Sequence, residues 1–117
     1  AIDGTLTGDT PKARVMDVCL GNGPAIKVKD SGMISDPRLV NAMVTCAQKN
    51  DIPFQMEILV GGTTDAKAMQ LSRAGMPAGC ISVPMRYVHT PSEMIDGNDV
   101  ENTVKLVALI DNPINLS

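Results

Sequence analysis

Phe54-Gln55-Met56-Glu57-Ile58-Leu59-Val60, followed by Gly61-Gly62-Thr63-Thr64-Asp65 and then by Gly79-Cys80-Ile81-Ser82-Val83, is the stretch that decides the fold. The first run alternates polar and apolar residues over its first half, as a strand does. The glycine-rich run is a turn, and Asp65 to about Ala74 reads as a helix stopped by Gly75 and Pro77. Gly79 to Val83 is an apolar run, which suits a strand in the middle of a sheet covered on both faces. Strand, helix, strand is the repeat of a helix-covered sheet.

The flanks extend this pattern. Pro37 fits the first position of a helix over 37–49, with Ser35 or Asp36 as its cap. Leu39, Val40, Met43, Val44 and Ala47 recur there at helical spacing, and Asn50 and Pro53 end the helix. Ala25-Ile26-Lys27-Val28-Lys29 alternates apolar and charged residues as a half-buried strand does. It lies between the turn Gly21-Asn22-Gly23-Pro24 and the break Asp30-Ser31-Gly32. Arg14 to Leu20 is a further β-rich run, and Gly4 to Lys12 reads as an active-face loop or turn. The opening Ala1-Ile2-Asp3 looks like a strand entered midway, so a fragment of something longer is expected. Asn98 and Glu101 have capping-box spacing for a last helix over 99–111. Its buried stripe would be Val100, Val104, Val107 and Ala108, with Pro113 as the stop. The prediction is therefore an α/β fold. Strands 14–20, 25–29, 54–60 and 79–83 form a mixed sheet covered by helices 37–49, 65–74 and 99–111.

Composition narrows the function classes. A chain of 117 residues suits one domain. The net charge of −3, with Phe54 and Tyr87 as its aromatics, supplies neither a basic stripe nor stacking platforms, so no nucleic acid is expected as partner. No apolar run approaches the ~20 residues that span a bilayer, so no membrane partner is expected. Cys19, Cys46 and Cys80 form no Cys-x-x-Cys pair and are expected as buried, reduced thiols of a cytoplasmic protein. Met43, Met69 and Met85 are expected to be packing residues.

Ligands gather at the carboxyl ends of strands in such sheets. Three segments qualify: the loop after Ile2, the Gly61–Asp65 turn and the loop after Val83. Their chemistry-bearing residues are Asp3, Asp9, Thr63, Thr64, Asp65, Arg86, His89 and Glu93. Asp3 and His89 pair a carboxylate with an imidazole, the donor types that hydrolytic zinc sites combine. Two ligands are too few for a catalytic zinc, and a lone histidine is more often a hydrogen-bonded or exposed side chain. The glycine turn could offer backbone N–H groups to an anion or a substrate carbonyl, or it could be a tight turn that caps the next helix. It lacks the Gly-Lys-Ser/Thr ending of a nucleotide P-loop. Arg86 could clamp a carboxylate or pair with Glu93 or Asp96. No nucleophile elbow is present.

Three longer runs carry a resemblance: Gly62-Thr63-Thr64-Asp65-Ala66, Ala74 to Pro84, and above all Arg86-Tyr87-Val88-His89-Thr90-Pro91-Ser92-Glu93. Together with Ala1-Ile2-Asp3, Gly8-Asp9-Thr10-Pro11, Gly23-Pro24-Ala25-Ile26 and Asp99-Val100-Glu101-Asn102, they resemble the M42 metallo-aminopeptidases. These are the glutamyl, deblocking and tetrahedral aminopeptidases, and the resemblance covers essentially the whole chain. It implies a catalytic domain with a mixed sheet between helices, interrupted by a smaller β-rich domain. It also implies two adjacent metal ions, commonly zinc or cobalt, with Asp3 matching a ligand of one and His89 a ligand of the other. The family's first histidine, bridging aspartate and Glu-Glu pair, which holds the general base, come earlier in the family and have no match here. Residues 1–117 thus resemble the C-terminal third of the enzyme, with no catalytic base of their own.

On that resemblance the parent is a homo-oligomeric aminopeptidase acting on peptides, and the isolated chain is expected to be inactive. Gly62, Thr63, Thr64 and Arg86 are the expected substrate-binding residues. Many relatives have glycine where Thr63 stands and histidine where Gln70 stands, and Lys12 replaces a frequent glycine, so the substrate preference stays open. Two further readings differ in class. One is a non-catalytic binding or assembly piece. The other is a glycoside hydrolase, because some relatives carry a cellulase label, although no acid and nucleophile pair is identifiable.

Overall fold

The computed structural model describes residues 1–110. The elements follow as β1 (Ile2–Leu6), β2 (Ala25–Lys29), α1 (Pro37–Lys49), β3 (Gln55–Ile58), α2 (Ala66–Gln70), β4 (Ile81–Arg86), β5 (Met94–Ile95) and α3 (Gly97–Ile110). The strands form one mixed sheet in the order β1-β4-β2-β3, with β5 added to β4. β4 runs parallel to β1, from Ile2 opposite Ile81 to Leu6 opposite Met85, and antiparallel to β2. β2 and β3 are parallel, with Lys27 opposite Glu57. The apolar run at 79–83 thus feeds an interior strand, as its composition requires.

One face of the sheet carries α1 and α3. Ile26 and Ile81 point into a core with Met43, Ala47, Ile52 and Leu106, all buried. Burying each larger side chain of this set contributes about 1.5–3 kcal/mol. The α1 start is as the sequence indicates: Asp36 is the cap, accepting from the Arg38 amide at 2.8 Å, and Pro37 follows. The stripe Leu39, Val40, Met43, Val44 and Ala47 faces the core.

Several expectations are corrected. Arg14 to Leu20 is not a strand. Side chains replace a ladder there: the Cys19 amide donates to Gln55 Oε1 at 3.0 Å and its carbonyl accepts from Gln55 Nε2 at 2.9 Å. The Leu20 amide donates to Asp9 Oδ2 at 2.9 Å. With its backbone engaged by side chains, the segment leaves Val15 fully exposed while Val18 is buried. Conversely, Gly4 to Leu6 is strand rather than loop, because β4 offers a parallel partner throughout. β4 itself runs on through Pro84 to Arg86. The proline falls between the β2 pairing at Ile81 and Ser82 and the β5 pairing at Met85 and Arg86, where its missing N–H breaks no bond on that side.

The helices also differ in detail. α2 stops at Gln70 rather than residue 74, because Arg73 and Gly75 take positive φ and the Met76 amide turns back to the Gln70 carbonyl. α3 starts at Gly97, and its cap is Asp96, whose carboxylate accepts from the Asn98 amide at 2.8 Å, instead of the Asn98–Glu101 box. Its buried stripe is Asp99, Thr103 and Leu106, and Val104 and Ala108 face outward. Asp99 sets that rotation. Fully buried, its carboxylate accepts the Gly21 and Gly23 amides, each at 2.8 Å, tying α3 to the turn before β2. The turn needs glycine at position 23, where φ is +88° and a side chain would meet the Pro53 carbonyl. Residue 111 and the stop at Pro113 lie outside the described residues.

The three cysteines are free, but only Cys80 is buried, whereas Cys19 and Cys46 are half-buried. Met43 packs in the core as expected, and Met69 is largely exposed. Among the described residues no helix is long and apolar enough to cross a membrane.

Candidate metal and substrate cleft

On the side of the sheet away from α1 and α3 lies a cleft of about 310 Å3. It is lined by Asp3 to Leu6 of β1, Lys27 of β2, Leu59 and Gly61 to Thr64 after β3, and Val88 and His89 after β4. The topology explains the gathering. β1 runs beside β4 with Asp3 opposite Ser82 and Leu6 opposite Met85, so Asp3 lines the cleft from within β1 and His89 from the turn beyond Arg86, 86 positions apart in sequence. Because Lys27 and most of β1 form its walls, the cleft lies over the strands themselves as well as at their carboxyl ends.

Both proposed metal donors are exposed. Asp3 Oδ1 accepts from the Gly4 amide at 2.8 Å, an arrangement that orients the carboxylate and leaves Oδ2 open. The His89 imidazole makes no hydrogen bond among the described residues. Its backbone is left-handed, with φ 63°, and its amide donates to Glu93 Oε1 at 2.8 Å. Among the described residues no three His, Cys, Asp or Glu side chains gather closely enough to hold a metal ion.

The glycine turn forms the opposite wall. Gly61 has φ +87°, and a side chain there would press on the Arg14 guanidinium, which donates to the Val60 carbonyl at 2.7 Å. Ser31 Oγ donates to the Gly62 carbonyl at 2.6 Å, and Thr63 Oγ1 donates to Asp30 Oδ1 at 3.0 Å. Thr64 Oγ1 is buried without a hydrogen-bond partner among the described residues. Asp65 occupies the cap position of α2 but makes no side-chain capping bond, so the turn is held by residues around Asp30 rather than by its own helix.

A buried charged cluster lies beneath this wall. Lys27, Glu57 and Asp30 are buried, with Lys27 Nζ 3.6 Å from Asp30 Oδ2 and 3.7 Å from Glu57 Oε1. Thr5 Oγ1 donates to Glu57 Oε1. Burial pushes the Glu57 carboxyl up, against the opposing pull of the Thr5 hydroxyl and the Lys27 charge. Alternation in Ala25-Ile26-Lys27-Val28-Lys29 reads Lys27 as solvent-facing. The signal that would have found it is the opposite charge of Glu57, which stands at the partner position of the next strand.

Arg86 does not line the cleft. It borders a neighbouring cavity with Thr10 and Tyr87, and its partner is Asp9 rather than Glu93 or Asp96. The pair is bidentate, Nε to Oδ1 at 3.1 Å and Nη2 to Oδ2 at 3.0 Å. Those hydrogen bonds hold the Asp9 carboxyl far below the usual carboxylate range. A depressed folded-state value means that this pair adds stability above the ordinary aspartate value, and the gain is lost only as pH falls through the folded value. A carboxyl NMR titration should therefore find Asp9 still ionised at about pH 3, where an ordinary aspartate is mostly protonated. Arg86→Met should return it towards 3.8.

Residues 1–106 match the model of the M42 glutamyl aminopeptidase family. The lysyl aminopeptidase of Pyrococcus furiosus is 41% identical over 88 residues, which are 74% of this chain and 25% of that protein. A TET aminopeptidase from a marine-sediment Thaumarchaeota archaeon superposes with a TM-score of 0.92 at 30% identity, over 98% of this chain and 32% of its own. The Pyrococcus horikoshii TET1 peptidase, described as assembling into a tetrahedron or a large octahedral shell, gives a TM-score of 0.73 at 36% identity, over 80% of this chain and 27% of its own. The chain spans about a third or less of the curated relatives it matches. On the match over 1–106 and the shared mixed sheet, the chain belongs to the M42 glutamyl aminopeptidase family.

Proposed function

We propose that residues 1–117 are the C-terminal part of the catalytic domain of a dinuclear metallo-aminopeptidase that removes N-terminal residues from peptides. The observation that carries this reading is the meeting of Asp3 and His89 in one cleft. Their chemistry fits: a carboxylate with an open oxygen and an imidazole without a hydrogen-bonded partner are hard and borderline donors suited to zinc or cobalt. When bound, a pair of such ions supplies Lewis acidity and lowers the pKa of water.

The remaining work of this chain is positioning. Asp3, fixed by the Gly4 amide, and His89, set on its strained turn, each serve one ion. Gly62, Thr63 and Thr64 form the wall along which a peptide lies, held from behind by Ser31 and Asp30. Arg86, paired with Asp9, supports the His89 turn and faces the neighbouring cavity, where it would meet the substrate beyond the cleft. The general base belongs to the part of the family's domain that this chain does not match. A homo-oligomeric parent is consistent with the assembly described for the TET1 peptidase, and a cytoplasmic location with three unpaired thiols.

A glycosidase reading needs two carboxyl groups flanking the scissile bond. Asp3 is the one carboxylate lining the cleft among the described residues, which favours metal ligation. The test is the isolated chain. With one donor for each ion, against the about three protein groups of a catalytic zinc, it should bind zinc or cobalt weakly by calorimetry. It should also leave aminoacyl-p-nitroanilides intact. Strong, chelator-sensitive hydrolysis by the purified chain would overturn the assignment. A tight one-to-one metal complex would contradict it equally.

A further inference from the structure

We propose that Glu93 is a positioning residue for His89: its carboxylate holds the His89 backbone in the left-handed conformation that presents the imidazole to the cleft. This rests on the reading of His89 as a metal ligand. β4 and β5 form a hairpin in which Arg86 stands opposite Met94, and the chain between them carries Tyr87, Val88 and His89. Tyr87 has φ 57° and His89 φ 63°, a region that side chains of their size rarely enter. Two such residues so close together must be held there by their surroundings.

The surroundings are specific. The His89 amide donates to Glu93 Oε1 at 2.8 Å. Thr90 Oγ1 donates to the Tyr87 carbonyl at 2.6 Å and accepts from the Ser92 amide at 3.2 Å. The hairpin is anchored at one end by the Arg86–Asp9 pair and at the other by the β5 pairing. Only the arc between these anchors is left to relax. Among the described residues, Glu93 is the side chain that bonds the backbone of His89 itself. Glu93 is exposed and belongs to neither apolar cluster, so its loss acts on the orientation of His89 and leaves the packing of the sheet intact.

The test uses Glu93→Ala, Glu93→Gln and His89→Ala in a full-length M42 protein carrying this segment, with Glu93→Ala also in the 117-residue chain. In the metal-free chain, hydrogen exchange of the His89 amide should speed up in Glu93→Ala, while the Ile81 amide in β4 keeps its protection. In the full-length protein, Glu93→Ala should weaken one of the two metal sites by about 10–100-fold, the usual effect of losing an outer-shell partner. kcat should fall in parallel with KM changed by less than about twofold, because substrate contacts are untouched. Glu93→Gln keeps an oxygen acceptor and should recover most of the loss.

Unchanged metal content and kcat in Glu93→Ala, with one ion lost in His89→Ala, would overturn the positioning role alone. Retention of both ions in His89→Ala would overturn the ligand reading beneath it. Failure of Glu93→Gln to rescue would also overturn the proposal, because the effect would then be one of charge rather than of the hydrogen bond.

Discussion

His89→Ala in a full-length M42 protein carrying this segment should lose one of two metal ions and lower turnover by at least about two orders of magnitude. Even an outer-shell partner of a metal ligand is worth about 10–100-fold, and His89 would be a ligand itself. The expected signature is metal content per protomer falling from two towards one, read by elemental analysis on protein dialysed against metal-free buffer. Asp3→Ala should do the same to the other ion, and the two variants together should strip both. Neither change should unfold the protein, because both side chains are exposed and neither belongs to the apolar clusters. Full metal content in both single variants would show that the cleft holds its ions by other groups. Wild-type turnover in His89→Ala would be equally decisive against its role.

What could be read from the sequence is what depends on neighbours in the chain. α1 is legible because its cap Asp36, its Pro37 and its apolar stripe lie within a few turns of one another. The interior place of β4 is legible because a run apolar on both faces has nowhere else to go. Asp3 and His89 line one cleft, but not through the rule that loops at strand ends converge: Asp3 lies within β1, opposite Ser82, rather than in a loop at a strand's carboxyl end. Three things were illegible because they depend on partners far away. Arg14 to Leu20 has the composition of a strand, yet Gln55 and Asp9 take up its backbone groups from distant parts of the chain. Arg86 chooses Asp9, 77 residues away, over the nearby Glu93 and Asp96. On β3 the alternation holds but its sense is reversed, with Glu57 buried and Met56 and Ile58 largely exposed. A period of two fixes which residues share a face and says nothing about which face is covered.

Lys27→Met should be the most destabilising change on the sheet, by about 3–5 kcal/mol in urea unfolding, because it strips the counter-charge from buried carboxylates. That is a large part of the 5–15 kcal/mol typical of a whole domain. The methionine matches the lysine stem in volume, so packing is nearly conserved and the loss is electrostatic. Asp30 keeps hydrogen bonds from the Gly32 amide and Thr63 Oγ1, and Glu57 keeps that from Thr5, but both then lack the nearby ammonium. The Glu57 carboxyl, already pushed up by burial, should rise further once the Lys27 ammonium is gone, so the folded state holds its proton to higher pH. The added stability of that proton is fully present below the ordinary carboxylate value, ~4, and is lost as pH rises through the folded-state value. The deficit of Lys27→Met should accordingly be largest near neutrality and shrink as pH falls towards 4. Adding Glu57→Gln removes one of the two orphaned charges and should recover part of the loss at neutral pH. A Lys27→Met deficit that is independent of pH would mean that packing, not the charge, sets the role of Lys27. In that case Thr63 would still be held by Asp30, and the cleft wall would owe nothing to the ammonium beneath it.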